Sequence, residues 1–216
     1  MIHNLAENNA LVGQFVAELR SSEIQTDRMR FRRNLERIGE ICAYEIAKHL
    51  PTTTIEVSTP LGVAECLVLV QQPVLATILR AGLPLHQGLL NYFDRADNAF
   101  ISAYRKHHKS GEFTIQLEYL SCPDLDDRTI ILSDPMLATG ASMVVSLDEL
   151  YRQATPQNTH LVVAIASRQG IDYVKQHYPN ITIWCAAIDD ELTAKGYIVP
   201  GLGDAGDLSF GAKTQY

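Results

Sequence analysis

The stretch TIILSDPMLATGAS, from Thr129 to Ser142, decides how this chain is read. Ile130, Ile131 and Leu132 are consecutive apolar residues, which predicts a buried strand ending near Ser133. Asp134 stands where that strand stops, and a loop of small residues follows: Ala138, Thr139, Gly140, Ala141 and Ser142. Val144, Leu147, Leu150 and Tyr151 then recur at three- and four-residue spacing, which predicts a helix. Strand, acid, small-residue loop and helix together suit a phosphorylated sugar. The loop N–H groups and the helix N-terminus are unpaired donors at the positive end of the helix dipole. Thr139 and Ser142 add hydroxyl donors, and Asp134 can accept hydrogen bonds from sugar hydroxyls. No Gly-Lys-Ser/Thr follows the strand, so this is not a Walker loop.

Outward from this unit the chain alternates apolar strands with helical patterns. The strands are Val74–Leu79, Ala99–Tyr104, Thr129–Ser133, His160–Ala166 and Ile181–Ala187; the helices are about Leu83–Phe93, Ala141–Ala154 and Gln169–Tyr178. Ahead of them come a short helix, Asn9 to Arg20, and a longer one capped by Thr26 or Asp27 and running to about His49. A β-hairpin is expected from the alternation at Thr53, Ile55 and Val57, the turn at Pro60 to Gly62, and the return at Val63 to Cys66. Short apolar strands between helices predict an α/β fold with a mostly parallel central sheet flanked by helices. One domain over residues 1–216 is the expectation, with N-terminal helices at about 9–49. Ligands of such sheets gather beyond the C-terminal strand ends. Arg80, Arg105 and Asp134 each follow an apolar strand, so all three are expected on that edge.

Two segments depart from the alternation. Lys106 to Ser121 is polar at first and then alternates Phe113, Ile115, Leu117 and Tyr119, which predicts a β-hairpin arm projecting from the sheet. Asp189 to Tyr216 holds five glycines and one proline with little periodicity, too long for an ordinary connection. Such a segment is either frayed or a functional lid.

Bulk properties narrow the class. With 216 residues, 46% of them hydrophobic, the chain can bury one substantial core. No apolar run approaches bilayer length, and the N-terminus lacks a secretory pattern. Cys42, Cys66, Cys122 and Cys185 are scattered with no CxxC pair, which predicts reduced thiols and a cytoplasmic location. A net charge of −7 argues against nonspecific nucleic-acid binding, though not against a local phosphate site built from backbone. His107 and His108 point apart on a strand or loop and lack a third ligand at metal spacing, so no metal is expected there. Ser133 and Ser142 have neither a local base nor a nucleophile elbow. Arg30, Arg33 and Arg37 form a stripe opposite the apolar face of their helix, read as a solvated or subunit-facing surface.

The motifs also resemble a known family. DPMLATGAS is similar to the phosphoribosyl diphosphate (PRPP) motif of uracil phosphoribosyltransferases, a type I phosphoribosyltransferase family. GYIVPGLGDAGD, from Gly196 to Asp207, resembles that family's uracil-binding segment. ILRAGL, from Ile78 to Leu83, resembles its diphosphate-contacting loop, and Tyr104–Arg105 matches a shorter element. The order and spacing fit from about Phe31–Arg32 to Lys213. Three departures stand out. Ala141 replaces a second glycine of the loop, residues 166–170 differ from the usual Ala-Pro-Glu-Gly pattern, and Leu208–Ser209 differ from the residues that usually follow the uracil segment.

The resemblance implies a pyrimidine-salvage glycosyltransferase that converts uracil and PRPP to UMP and diphosphate with Mg²⁺. It implies PRPP contacts from Arg80, Arg105, Asp134, Pro135, Met136, Leu137, Ala138, Thr139, Gly140, Ala141, Ser142 and Asp204. Uracil would be read by Ile198, Gly203, Asp204 and Ala205, largely through main-chain groups. Arg105, Asp134 and Asp204 would bear on catalysis. The magnesium ion would be held by PRPP and water rather than directly by protein. It also favours the lid reading of residues 189–216, a homodimer or homotetramer, and GTP as an effector, since some members respond to it. No membrane or nucleic-acid partner is expected. Three other functions stay open: a phosphoribosyltransferase for a different base, an RNA-binding regulator that keeps the fold, and a non-catalytic uracil or UMP sensor.

Overall fold

A computed structural model describes residues 1–107 and 113–213, the side chains of 103–107, 113–117 and Gln153 excepted. The chain opens with β1 (Ile2–Asn4), a 3₁₀ turn (Leu5–Glu7), α1 (Ala10–Arg20) and α2 (Arg28–Ala47). A hairpin follows, β2 (Thr52–Thr59) and β3 (Gly62–Leu69), then β4 (Val74–Leu79), α3 (Leu83–Leu90), β5 (Asp97–His107) and β6 (Phe113–Ser121). Next come β7 (Thr129–Ser133), β8 (Met136–Leu137), α4 (Ala141–Gln153), β9 (Asn158–Ser167), α5 (Arg168–His177) and β10 (Thr182–Asp189). The chain closes through β11 (Glu191–Leu192), β12 (Ile198–Val199) and α6 (Ala205–Phe210).

The main sheet runs in the order β1-β10-β9-β7-β4-β5-β6, with β8 pairing β9 off that path. Every pairing in it is parallel except β5 with β6. This is the mostly parallel α/β sheet that the alternating pattern predicts. Successive side chains of a strand point to opposite faces, and two cores form accordingly. Leu75, Ile131, Val162 and Trp184 pack on one face with α1, α2 and α3. Val74, Ala76, Ile130, Leu132, Leu161, Val163 and Ile183 pack on the other with α4 and α5. Ile198, Leu202 and Ala205 of the C-terminal segment join the first core, so that segment is seated on the sheet rather than frayed.

Asp27 caps α2, its carboxylate accepting the Arg30 N–H at 3.0 Å. The hairpin near residue 60 and the antiparallel pair β5/β6 are both present; residues 108–112, the tip of the expected arm, lie outside the described residues. Five short elements were not predicted. β1 adds an edge strand beside β10, β8 lies between Asp134 and the expected small-residue loop, and β11, β12 and α6 order a segment expected to be irregular. Two- and three-residue strands carry too little periodicity to be read from sequence. Among the described residues no helix is long and apolar enough to cross a membrane.

Candidate active site

β4 and β7 are neighbours, and their C-terminal ends are locked by two buried hydroxyls. Thr77 Oγ1 donates to Ser133 O and Ser133 Oγ donates to Ala76 O, both at 3.2 Å. The chain leaves β4 through residues 80–82 in very close contact with β7. A methyl at Gly82 would lie 2.2 Å from Thr77 Oγ1 and 2.8 Å from Ser133 O, so only glycine fits. Arg80 and Asp134 therefore flank the same strand edge, as their sequence positions predict. Arg105 is a correction: it does not follow a strand but lies within β5, three residues past Ser102, the partner of Leu79. Its backbone belongs to the β5/β6 extension, and its side chain lies outside the described residues.

Asp134 is tied to β9 by its backbone, the N–H donating to Val162 O at 3.1 Å. Pro135 O accepts from Ala164 and Ile165, and Met136 and Leu137 run beside Ile165 and Ala166 as β8. The expected phosphate loop thus shrinks to residues 138–140. Gly140 is the N-cap of α4 with φ +83°, a left-handed conformation that side chains rarely adopt. A methyl there would also meet Gly170 O at 2.9 Å. Ala141 and Ser142 open the helix, whose first-turn N–H groups have no intrahelical partners. Thr139 Oγ1 accepts the Ala141 N–H in a long contact of 3.4 Å. Ala141 is already helical, so its methyl sits on the first turn rather than at the left-handed position held by Gly140.

Ser167 braces this loop from below. Its hydroxyl donates to Ala138 O at 2.5 Å and accepts the Gly170 N–H at 2.8 Å, capping α5 as well. Gly170 then packs so tightly that a methyl would lie 2.3 Å from Ala138 O. Residues 166–170, read from sequence only as a departure, carry the support of the loop. The serine followed three residues later by a backbone donor at a helix start was the signal available.

The C-terminal segment meets the same edge. Arg80 Nη2 donates to Asp207 Oδ1 at 2.7 Å and to Gly211 O at 2.6 Å. Gly206 lies against the 80–82 turn, where a methyl would stand 3.8 Å from Ala81 Cβ, 3.8 Å from Arg80 Nε and 3.2 Å from Asp204 Oδ1. Asp204 is the N-cap of α6, its Oδ1 accepting the Asp207 N–H at 2.9 Å. Ala205 is buried in the first turn of α6, and Gly203 holds φ +97°. Ile198 points its side chain into the core while its backbone pairs with Leu192. Arg32 secures the far end, Nη1 donating to Ser209 O at 2.7 Å.

Of Arg30, Arg33 and Arg37, read as a solvated or subunit-facing stripe, the first two are exposed, and all three also bond within the chain. Arg30 forks Glu18 at 2.7 and 2.9 Å, Arg33 pairs with Glu36 at 2.6 Å, and Arg37 donates to Asn34 at 3.0 Å. Sequence reasoning missed Arg20 and Gln25, which grip the C-terminal segment from the far N-terminal end of the chain, and Asp189, which holds Gly201 from 12 positions away.

Comparison with known proteins agrees with this geometry. Residues 6–212 match the family model described as uracil phosphoribosyltransferase. The chain is 52% identical over 214 residues to a uracil phosphoribosyltransferase of Porphyromonas gingivalis, covering 99% of each chain. It is 36% identical over 208 residues to one from Pyrococcus furiosus, covering 95% of this chain and 88% of the other. The solved structure of the AQ2163 protein from Aquifex aeolicus superposes with a TM-score of 0.87 at 29% identity, all of both chains being covered. The 138–142 loop, the 80–82 turn and the C-terminal segment thus share one strand edge in a chain matched over nearly its whole length, and the chain belongs to the uracil phosphoribosyltransferase family.

Proposed function

We propose that the chain transfers the phosphoribosyl group of PRPP to N1 of uracil, giving UMP and diphosphate. One observation carries the reading: Arg80, at the end of β4, is bonded to Asp207 and Gly211, so the diphosphate-type turn and the base-type segment meet over a single edge. In this reading residues 138–142 hold the 5′-phosphate, Asp134 accepts the ribose hydroxyls, and Arg80 and Arg105 receive the diphosphate. Residues Ile198 and 203–205 read uracil by main-chain groups, which match O2, O4 and N3–H. Displacement at the anomeric carbon passes through an oxocarbenium-like centre. The protein's part is to align the two substrates and to offset the charge gathering on the leaving diphosphate.

Mg²⁺ belongs to the same reading. The side chains at this edge, Asp134 and Asp204, offer hard oxygen donors of the kind the ion's coordinated waters engage. The ion would supply charge screening for the diphosphate while keeping most of its waters. A cytoplasmic location fits four cysteines that are all free thiols.

Self-association is part of the proposal. β2 and β3 form a separate two-stranded sheet that the rest of the chain leaves largely uncovered, with Ile55, Val57, Val63 and Leu67 exposed and Leu61 at its tip 99% exposed. An isolated hairpin is marginal in water, and an exposed apolar arm of this size marks an interaction surface. Ile55→Lys with Val57→Lys should lower the assembled mass in sedimentation; an unchanged mass removes the arm from the interface.

The deciding assay supplies purified protein with PRPP, Mg²⁺ and, separately, uracil, cytosine, hypoxanthine and adenine, and follows diphosphate release. Turnover with uracil and little with the purines is the expected result. Equal or greater turnover with a purine overturns the reading.

A further inference from the structure

Arg20 ends α1 and Asp189 ends β10, 169 positions apart in the chain. They form a forked ion pair, Nη1 to Oδ2 at 2.8 Å and Nη2 to Oδ1 at 2.7 Å. Asp189 is almost wholly buried, its side chain 6% exposed against 23% for Arg20. The pair does more than join a helix to a strand. The Gly201 N–H donates to Asp189 Oδ2 at 2.9 Å, and Arg20 Nη1 donates to Gly201 O at 2.9 Å. Both polar groups of one backbone residue are held by one ion pair.

Gly201 cannot adjust to this grip in the way another residue could. It sits at φ +56°, and a methyl on it would lie 2.2 Å from Ile198 O. The next residue is held too: with its amide in the orientation that satisfies its bonds, Gln25 donates to Leu202 O at 2.8 Å. Burial raises the Asp189 carboxyl, but the Arg20 guanidinium and the Gly201 N–H outweigh it and hold the group below the usual carboxylate range. The clasp is therefore charged at neutral pH and made of charge-assisted bonds, the stronger class. It stands directly before Gly203, Asp204 and Ala205.

We infer that Arg20 and Asp189 are positioning residues for base recognition. By fixing Gly201 from both sides they set where residues 203–205 present their main-chain groups to uracil, and neither touches a substrate. The inference rests on the reading that these residues take the base. A lysine at position 20 keeps the charge but offers no planar fork that could bridge two carboxylate oxygens and a carbonyl together. The phosphate loop and Asp134 belong to β7, β8 and α4 and are braced separately by Ser167, so those PRPP contacts should hold, and the larger change should fall on uracil.

The test is steady-state kinetics of Arg20→Lys and Asp189→Asn with each substrate varied in turn, alongside amide hydrogen exchange of residues 201–206. The expected result is a uracil KM raised about tenfold or more, a clearly smaller rise in the PRPP KM, and faster exchange confined to that segment. A clasp that serves stability alone would lower the melting temperature and leave the uracil KM unchanged, which overturns the inference. Equal rises in both KM values overturn it as well. Should Asp189→Asn fail to fold, Arg20→Lys decides alone, because it retains the charge pair. Absence of uracil turnover in the parent protein would instead defeat the underlying reading, and the two failures are thereby told apart.

Discussion

His160, on β9, is placed to make the fold sensitive to acid in a way that can be worked out. The indole N–H of Trp184 donates to its Nδ1 at 3.1 Å, and an imidazole nitrogen accepts only when it carries no proton. His3 stacks on that indole, with ring centroids 3.9 Å apart and planes 9° from parallel, and the His49 ring centroid lies 5.4 Å from it. Burial first, then the nearby His49, His3 and amino terminus, push the His160 pKa from 6.5 down to about 4. In the unfolded chain the group returns to its ordinary value of about 6.5. Between these values the unfolded state binds a proton that the native state refuses. Stability is thus complete above pH 6.5, falls as the pH drops toward 4, and loses nothing further below that. Each unit is worth about 1.36 kcal/mol, so the full loss is about 3 kcal/mol, of which about 2 kcal/mol falls between pH 7.5 and 5.0.

Trp184 is the single tryptophan of the chain, so its fluorescence reports this cluster directly. Urea unfolding at pH 7.5 and 5.0, at one protein concentration, should be compared between the parent and His160→Gln. Glutamine keeps a side-chain acceptor for the indole but does not titrate. The parent should lose about 2 kcal/mol more than the variant over that interval. Parallel losses in the two proteins would refute the argument, because the proton refused by the native state would then not be the one on His160.

Three substitutions bear on the proposed site. Gly140→Ala should cost about 1–2 kcal/mol through the left-handed φ alone, and more through the contact with Gly170 O, lowering the melting temperature and raising the PRPP KM; an unchanged PRPP KM would separate this turn from phosphate binding. Asp134→Asn should weaken PRPP binding by about ten- to a hundredfold, the value of charge-assisted bonds to hydroxyls, with the fold intact by circular dichroism; unchanged PRPP KM and kcat would mean that Asp134 is no ribose ligand. Asp204→Asn leaves the cap of α6 in place, since asparagine caps as well as aspartate. A kcat lower by about 10²–10³ at constant melting temperature would therefore report the carboxylate's charge, whereas near-normal turnover would leave Asp204 as a cap.

Sequence periodicity carried the longer sheet strands and helices, because each of those is long enough to repeat its buried face, and missed the short β1, β8 and α6. Val74–Leu79 and Thr129–Ser133 coincide with the predicted spans to the residue. The acid and small residues after β7 were equally legible, since a strand end, a left-handed glycine and a helix start each demand particular residue types in a fixed order. The same motifs marked the C-terminal segment, but not that it would fold into β11, β12 and α6.

What the chain alone determined is thus local: which residues alternate, which cap, and which small residues stand where a phosphate or a base could approach. Its motif order sufficed to place it beside its family. What only the tertiary structure decided is long-range, because an ion pair or a buried hydroxyl leaves no periodic trace when its partners lie far apart in sequence. Ser167 bracing Ala138, Arg80 holding Asp207, and Arg20 with Asp189 holding Gly201 all depend on strand ends and helix ends that the sheet order brings together. Trp184 with its three histidines is of the same kind, assembled from β1, β9, β10 and the turn after α2. Each of those side chains is an ordinary polar or aromatic residue in its own sequence neighbourhood, and acquires its partner only when the parallel sheet sets the strands in register.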